Sequence, residues 1–408
     1  MVNWKKCIRN CANDMKTYKN LLALELKLFF SKKNIFIILG GVIAIAAFCH
    51  FYFIPKYNGY MGVLAHSFEV QNIYANVQSD YDKDEIKTFE AGNDDPKELE
   101  KKLGYSLNTL KMVVECWGNY VQELQKLQYF MKQDKVDYDR VLKIKTRMDY
   151  ERATHTKYKD ALFRQHYYGD TYEDFLKEVA VHKAYDEAGK KEILNKCTPN
   201  GAYMFLQTFS GNGFIILAFI IFLFMLNYDA WCNEFENKTY AQTFTLPYDR
   251  RSIITIRWIS RVVLTNVLVI LYALEFLAIG ALKYGTGLGE YVAILKNGKY
   301  VGITQGAMMG KNLIYLMFLC AFAVTFILLV SVILKNSVNA LTVVFFCVSM
   351  YAMRSIDYSK YHPYALLNMS KLMQNESAIS IRMAIMACIL YSVVMFVGMT
   401  AILMRREE

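Results

Sequence analysis

The 408-residue chain has only five prolines and six histidines, and its nine cysteines are too few to staple a fold of this length. Few prolines means few interruptions to helices. The histidines (His50, His66, His155, His166, His182 and His362) form no H-E-x-x-H or other zinc spacing, which excludes a membrane metalloprotease. A nucleotide loop is also missing. The nearest stretch, Gly306 to Asn312, is one residue short between its glycines and has Asn312 where Ser or Thr would hold magnesium. Catalytic, cofactor and metal roles therefore stay empty, and the chain is not expected to be an enzyme.

Charge is nearly absent from six blocks, Glu275 being the exception, and there the apolar residues concentrate. These blocks cover about residues 35–54, 205–226, 262–282, 313–334, 338–353 and 383–404. Each is near the roughly 20 residues a helix needs to cross about 30 Å of hydrocarbon, with the fifth short. The first block is expected to remain in the mature protein, because a long basic stretch precedes it and no small-residue cleavage site follows. Most cysteines lie in or beside these blocks, where a thiol behaves as a small hydrophobe.

Eight basic residues precede the first block (Lys5, Lys6, Arg9, Lys16, Lys19, Lys27, Lys32 and Lys33), against Asp14 and Glu25. The positive-inside rule, which discounts acids, places this end in the cytoplasm. Six spans return the C-terminus to the same side, where Arg405 and Arg406 follow the last apolar residue. Residues 3–22 align Trp4, Ile8, Cys11, Met15, Tyr18 and Leu22 on one helical face with lysines around the others. Residues 1–33 thus read as an interfacial amphipathic helix lying against lipid headgroups, and residues 34–54 as the first span. Cys7 and Cys11, with no third or fourth ligand, do not make a metal site.

Residues 55–204 differ in kind. They hold 23 basic and 25 acidic residues, and long loops of this sort translocate largely regardless of charge, so they are expected outside as a helical domain. Leu103, Leu107, Leu110, Val114, Trp117, Val121, Leu124 and Met131 recur at steps of mostly three and four, as a helix-packing seam requires. Further helices are expected over about 138–163 and 171–195. Cys116 and Cys197 are this domain's two cysteines; outside the cell they either pair as a disulfide or remain two free thiols.

Residues 205–408 carry spans two to six, with a cytoplasmic segment at 229–258. A helix is expected over about 229–244, a stop at Pro247, and a second helix opened by Asp249 as N-cap and by Arg250 and Arg251. Within this segment, Glu236, Thr239, Leu246, Pro247, Arg250 and Arg257 stand at the spacings of a cytoplasmic pattern found in the type-2 permeases of ATP-binding-cassette exporters, also called type V exporters. The chain resembles that family across nearly its whole length, with Lys238 where the family has glycine. It is most similar to the branch with a large extracellular domain between spans one and two.

The resemblance implies an all-α polytopic membrane protein in a cell membrane, most consistent with a bacterial plasma membrane, with both termini cytoplasmic. Six transmembrane helices would be joined by a coupling helix between spans two and three, and by a re-entrant segment at 354–380. ATP and magnesium would be bound by separate cytoplasmic ATPase subunits. The partners would be those ATPases, a second permease copy or a sister permease, and membrane lipids, with no nucleic acid. Glu234, Glu236, Thr239, Pro247, Arg250, Arg251 and Arg257 are the residues expected to couple to the ATPase. Glu275, the clear acid of the third span, is a candidate for the substrate path, because an intramembrane charge usually faces the bundle interior or water. The function implied is export of an amphipathic peptide, lipid or antimicrobial agent. A rival reading makes the chain a receptor or regulator sensing an envelope ligand through its helical outside domain, with no ATPase partner. An ion-exporting permease would need more intramembrane polar residues than Glu275, Asn266 and Thr325.

Overall fold

A computed structural model describes residues 19–55, 106–133, 172–190, 199–210, 213–245, 248–352, 363–377 and 379–405, with shorter stretches between 72 and 101 and at 140, 144 and 145. Several expectations fall outside these residues: the interfacial helix before residue 19, the helix over 138–163, Cys197 and hence its pairing with Cys116, Leu246 and Pro247, and the first part of the 354–380 segment. The described chain is mostly helical and divides into two compact units, one comprising Met1–His50, Asn200–Gly287 and Gly306–Glu408, the other Phe51–Pro199 and Leu288–Gln305.

The first unit contains α1 (Lys32–Phe48), which continues into a π-helical turn, Cys49–Phe53. Ser31 caps α1 by accepting from Asn34 N. Four helices among the described residues are long and apolar enough to cross a membrane: Lys32–Phe53, Arg250–Lys283, Gln305–Leu334 and Ile381–Arg405. Ala218–Ala230 and Ser337–Cys347 are shorter apolar helices.

The second unit is built on α2 (Leu107–Met131), capped by Ser106, and α3 (Tyr172–Glu187). Leu110, Val113, Trp117, Tyr120, Leu124 and Leu127 are the buried face of α2. This face shares Leu110, Trp117 and Leu124 with the expected seam but is turned toward Val113 and Tyr120, leaving Val114 and Val121 half-buried. The reason is size: a buried Tyr120 packs edge-on against Trp117, with ring centroids 5.8 Å apart, and removes more apolar area from water than a valine. The Trp117 indole donates to Asp82 at 3.1 Å, so its polar edge is satisfied inside the core. The third expected helix ends at Glu187, short of residue 195, and Gly189 with φ +59 turns the chain away.

One part of the purely helical expectation needs correction. Residues 291–304 form an antiparallel hairpin, β1 (Tyr291–Lys296) and β2 (Lys299–Thr304), in register Tyr291↔Thr304 through Lys296↔Lys299. Its turn is Asn297-Gly298 with φ of 51° and 75°, the pair a two-residue type I′ turn demands. The hairpin packs on α3: Tyr291 meets the Tyr185 ring edge-on at 4.9 Å, the Tyr185 hydroxyl donates to Glu290, and Gly302 sits on the backbone of Ala180 and the methyl of Ala184.

The first unit continues through α4 (Gly201–Ser210), α5 (Gly213–Asn227), α6 (Cys232–Glu236), α7 (Tyr240–Phe244), α8 (Arg250–Lys283), α9 (Gln305–Leu334), α10 (Ser337–Ala352), α11 (Met369–Met373) and α12 (Ile381–Arg405). The apolar block at 205–226 is thus carried by two helices, α4 and α5. Asn200 caps α4 by accepting from Tyr203 N at 2.8 Å. A 3-10 turn, Pro363–Leu367, precedes α11, and the Tyr315 hydroxyl of α9 donates to Leu366 O at 2.6 Å. With 34 residues, α8 is about 51 Å long, so part of it extends past a 30 Å hydrocarbon layer. As expected, Asp249 caps it, accepting from Ser252 N at 3.2 Å.

Close packing of α4 against α8 depends on two glycines. A Cβ on Gly201 would lie 2.6 Å from Leu277 Cα, and one on Gly280 would strike the Gly201 backbone. Small residues allow such backbone approach between apolar helices. Gly280→Leu is therefore expected to push α4 off α8 at a cost of about 1–3 kcal/mol, the range for overpacking. Thermal melting in detergent should fall relative to a Gly398→Leu control, which stands in open space.

Candidate functional site

The sequence places an acid in the middle of a leucine-rich helical stretch at residues 19–29, where Leu21 and Phe29 are buried. That acid, Glu25, is 1% exposed. An isolated buried carboxylate is prohibitively expensive, so it requires a cation. Arg257, about two turns into α8 and 2% exposed, supplies it: its Nε donates to Glu25 Oε1 at 2.8 Å. The same guanidinium donates through Nη1 to Ala230 O at 2.8 Å and pairs through Nη2 with Glu234 Oε1 at 2.8 Å. It also lies over the Trp231 ring, 4.4 Å from the centroid. Three separate acceptors are met at once by a planar, five-donor guanidinium that also lies over Trp231; a lysine ammonium, a compact point charge with three donors, lacks that fixed fork and flat face.

A second set of ion pairs lies one turn further along α8. Arg261 Nη1 donates to Leu226 O at 3.1 Å and to Asp229 Oδ1 at 3.2 Å. Asp229 Oδ2 accepts from Lys33 at 2.8 Å, and Lys33 rests over the Tyr228 ring at 4.2 Å. Asn34 ties the same corner together, donating to Phe29 O at 2.9 Å and Leu226 O at 3.3 Å. Three carboxylates thus face three cations, so the cluster is formally neutral. It remains incompletely paired, since Glu25 Oε2, Glu234 Oε2 and Arg261 Nε are buried with no hydrogen-bond partner.

These contacts shape the segment after α5. A single helix is expected over 229–244, but the chain instead forms a 3-10 turn at Tyr228–Ala230, then α6, then α7. The breaks let Asp229 and Glu234 reach neighbouring rungs of α8 while Trp231 is buried between them. Lys238 takes φ 58 and makes the turn between α6 and α7, in the left-handed conformation that favours glycine. Thr239 N donates to Glu234 O at 2.8 Å and closes the end of α6. Trp231 stacks on Phe235 and Phe244, with centroids 6.5 and 6.2 Å away, so α7 folds back over α6.

The residues expected in coupling are therefore distributed unequally. Glu234 and Arg257 are joined in the buried cluster. Glu236 is exposed, and its Oε1 accepts from both Ser337 N and Ser337 Oγ at 2.6 Å. Those bonds, the hydroxyl's first, hold its carboxyl below the usual carboxylate range. The contact is complete above the ordinary carboxylate value and is lost as pH falls through the depressed one. Arg250 lies over the Phe244 ring at 5.2 Å, and Arg251 is exposed. Glu275 stands apart, half-buried, with Oε2 buried and lacking a partner. Among the described residues no group of three His, Cys, Asp or Glu side chains is placed to hold a metal ion.

Sequence reading missed Glu25, Asp229, Arg261 and Lys33 as members of one site. It counted Lys33 for topology and discounted Glu25 as an acid. The available signal was Glu25 as the one acid in the leucine-rich run Leu21–Phe30, a place where an acid needs a partner.

Arg257→Ala would leave Glu25 and Glu234 facing each other without a cation, and breaking a buried pair in this way costs about 3–5 kcal/mol. The expected result is loss of monodisperse protein in detergent, with Arg257→Lys intermediate. A melting temperature unchanged by Arg257→Ala would refute the cluster.

A family model described as "ABC-2 family transporter protein" matches residues 30–403. No curated protein and no solved structure matches the chain.

Proposed function

The chain belongs to the ABC-2 transporter family, a family of multi-pass membrane permeases that work with a separate ABC ATPase subunit, and we propose that it is the permease of an exporter driven by that subunit through the segment 228–250. In this reading the protein has six transmembrane helices, the two shorter apolar helices completing the set, with α4 sharing the second span with α5, and both termini are cytoplasmic. Residues 354–380 form a re-entrant segment. Phe51–Pro199 and the hairpin make an extracellular domain, as in the family branch that carries one. Two permeases, identical or sister chains, pair in a bacterial plasma membrane, and ATP and magnesium are bound by the ATPase.

One observation carries the coupling role. The segment is not a free loop: Asp229 and Glu234 are fastened to Arg261 and Arg257 of α8 by ion pairs of 2.8–3.2 Å. A push delivered to α6 and α7 therefore reaches α8 without slack. Thr239 closes the end of α6, Glu236 joins the segment to Ser337, and Arg250 and Arg251 offer cationic contacts to the ATPase. The chain's own part is mechanical. ATP-driven approach of two ATPases shifts the permeases between two packings, which requires contacts that differ between the states.

An amphipathic peptide, lipid or antimicrobial agent is the substrate class that suits lateral entry from the bilayer. Glu275 suits its path, since a carboxyl with an unpaired oxygen inside an apolar helix is expected to face water or a polar ligand. Receptor function has no observation in its favour.

Copurification from native membranes tests the pairing. With Arg250 and Arg251 both changed to Glu, the recovered ATPase is expected to drop about tenfold, corresponding to roughly 1.4 kcal/mol, while membrane insertion persists; full recovery would remove these arginines from the docking surface. Glu275→Gln is expected to lower export of an amphipathic substrate in whole cells without changing ATPase recovery. Normal export would take Glu275 off the path.

A further inference from the structure

Glu236 and Glu234 lie two positions apart on α6 but point to different helices. Glu234 is bound to Arg257 of α8 at 2.8 Å, while Glu236 accepts two hydrogen bonds from Ser337, the first residue of α10. A third attachment joins α6 to the end of α9, where the Cys232 thiol lies 3.7 Å from Ser331 O. The chain between α9 and α10 turns at Lys335, with φ 58, and Asn336 caps α10 locally by accepting from Asn339 N at 3.0 Å. The Ser337 N–H is one of the orphan donors at a helix start. It is met from another part of the chain, 101 residues away.

We propose that Glu236 is a positioning residue that acts through Ser337, tying α10 to α6 so that α8 and α10 move as one body when the segment is driven. The inference rests on the coupling reading of 228–250 and assigns Glu236 an inward role within it, in place of a contact with the ATPase.

The energetics separate this role from ordinary stabilisation. The pair is exposed, and exposed charged contacts add little to folding because water competes for them. The buried Arg257 cluster holds α6 on α8 with or without Glu236. Removing the Glu236 carboxylate should therefore leave the fold intact, with α10 still packed on α5, and loosen only the tie between α6 and the start of α10. A plain helix-capping role makes a different prediction, since a negative charge anywhere at the start of α10 would replace it.

The test uses the full permease copurified with its ATPase, reconstituted in liposomes with MgATP. Glu236→Ala is expected to lower permease-dependent ATP hydrolysis about fivefold while melting temperature and ATPase recovery stay unchanged, and Glu236→Gln, which keeps the accepting oxygen, to retain most of the rate. Glu236→Ala combined with Ser337→Asp restores charge at the helix start without the link and is expected to stay low. Recovery in that double variant would show capping alone and overturn the proposal, as would an unchanged rate in Glu236→Ala. Hydrogen exchange on the permease alone provides a readout independent of the ATPase: Glu236→Ala should speed exchange at 337–345 but not at 250–261, and equal exchange would defeat the tie. A wild-type protein that brings down no ATPase would defeat the coupling reading, and the exchange comparison would still decide for or against the tie.

Discussion

The structure of the first unit depends on the cost of taking the Arg257 guanidinium out of water. An ion buried to 2% exposure is tolerated only when its donors find acceptors, and the acceptors that answer, Glu25, Ala230 O and Glu234, come from two other parts of the chain. Each must be delivered to within hydrogen-bonding distance, so the helix at 19–29, α6 and α8 have little freedom in where they sit. The break in the expected helix at 229–244 follows from this. A continuous helix would carry Asp229 and Glu234 around its axis to different sides, whereas the 3-10 turn and the short α6 present them to successive turns of one helix.

Burial then divides the segment's contacts into two grades. The Arg257 cluster is shielded from water, so its geometry is stiff and its loss severe. The Glu236 contact with Ser337 is exposed and contributes little to stability, yet it links α6 to the start of α10. Trp231 stacks on Phe235 and Phe244 within the same segment.

The second unit solves another problem, that of making a core in a charge-rich stretch. Its two segments are distant in sequence: α3 precedes the hairpin by about a hundred residues, yet Gly302 can lie directly on Ala180 and Ala184 because neither side has bulk there. The Tyr185 hydroxyl reaches Glu290, so the polar edge of the packed aromatic pair is satisfied.

Local patterning made much of this legible. Blocks with almost no charge identified the apolar helices, Asp249 was readable as the cap of α8, and the spacing of Glu236, Thr239, Leu246, Pro247, Arg250 and Arg257 pointed to the transporter family. The hairpin is equally local, since Asn297-Gly298 between two short runs rich in Tyr, Val and Ile is a turn signal, although the surrounding chain is helical. The partners of buried ions were not legible. Glu25 and Arg257 are 232 residues apart, and nothing in either neighbourhood names the other. The caps, the tight hairpin turn and the long apolar helices are set by interactions within a few residues, so the sequence by itself determines them, whereas the break after α5 is imposed by ion pairs with α8. Which acid answers which arginine is settled only when helices pack, because desolvation acts on whatever the fold brings into the same dry volume.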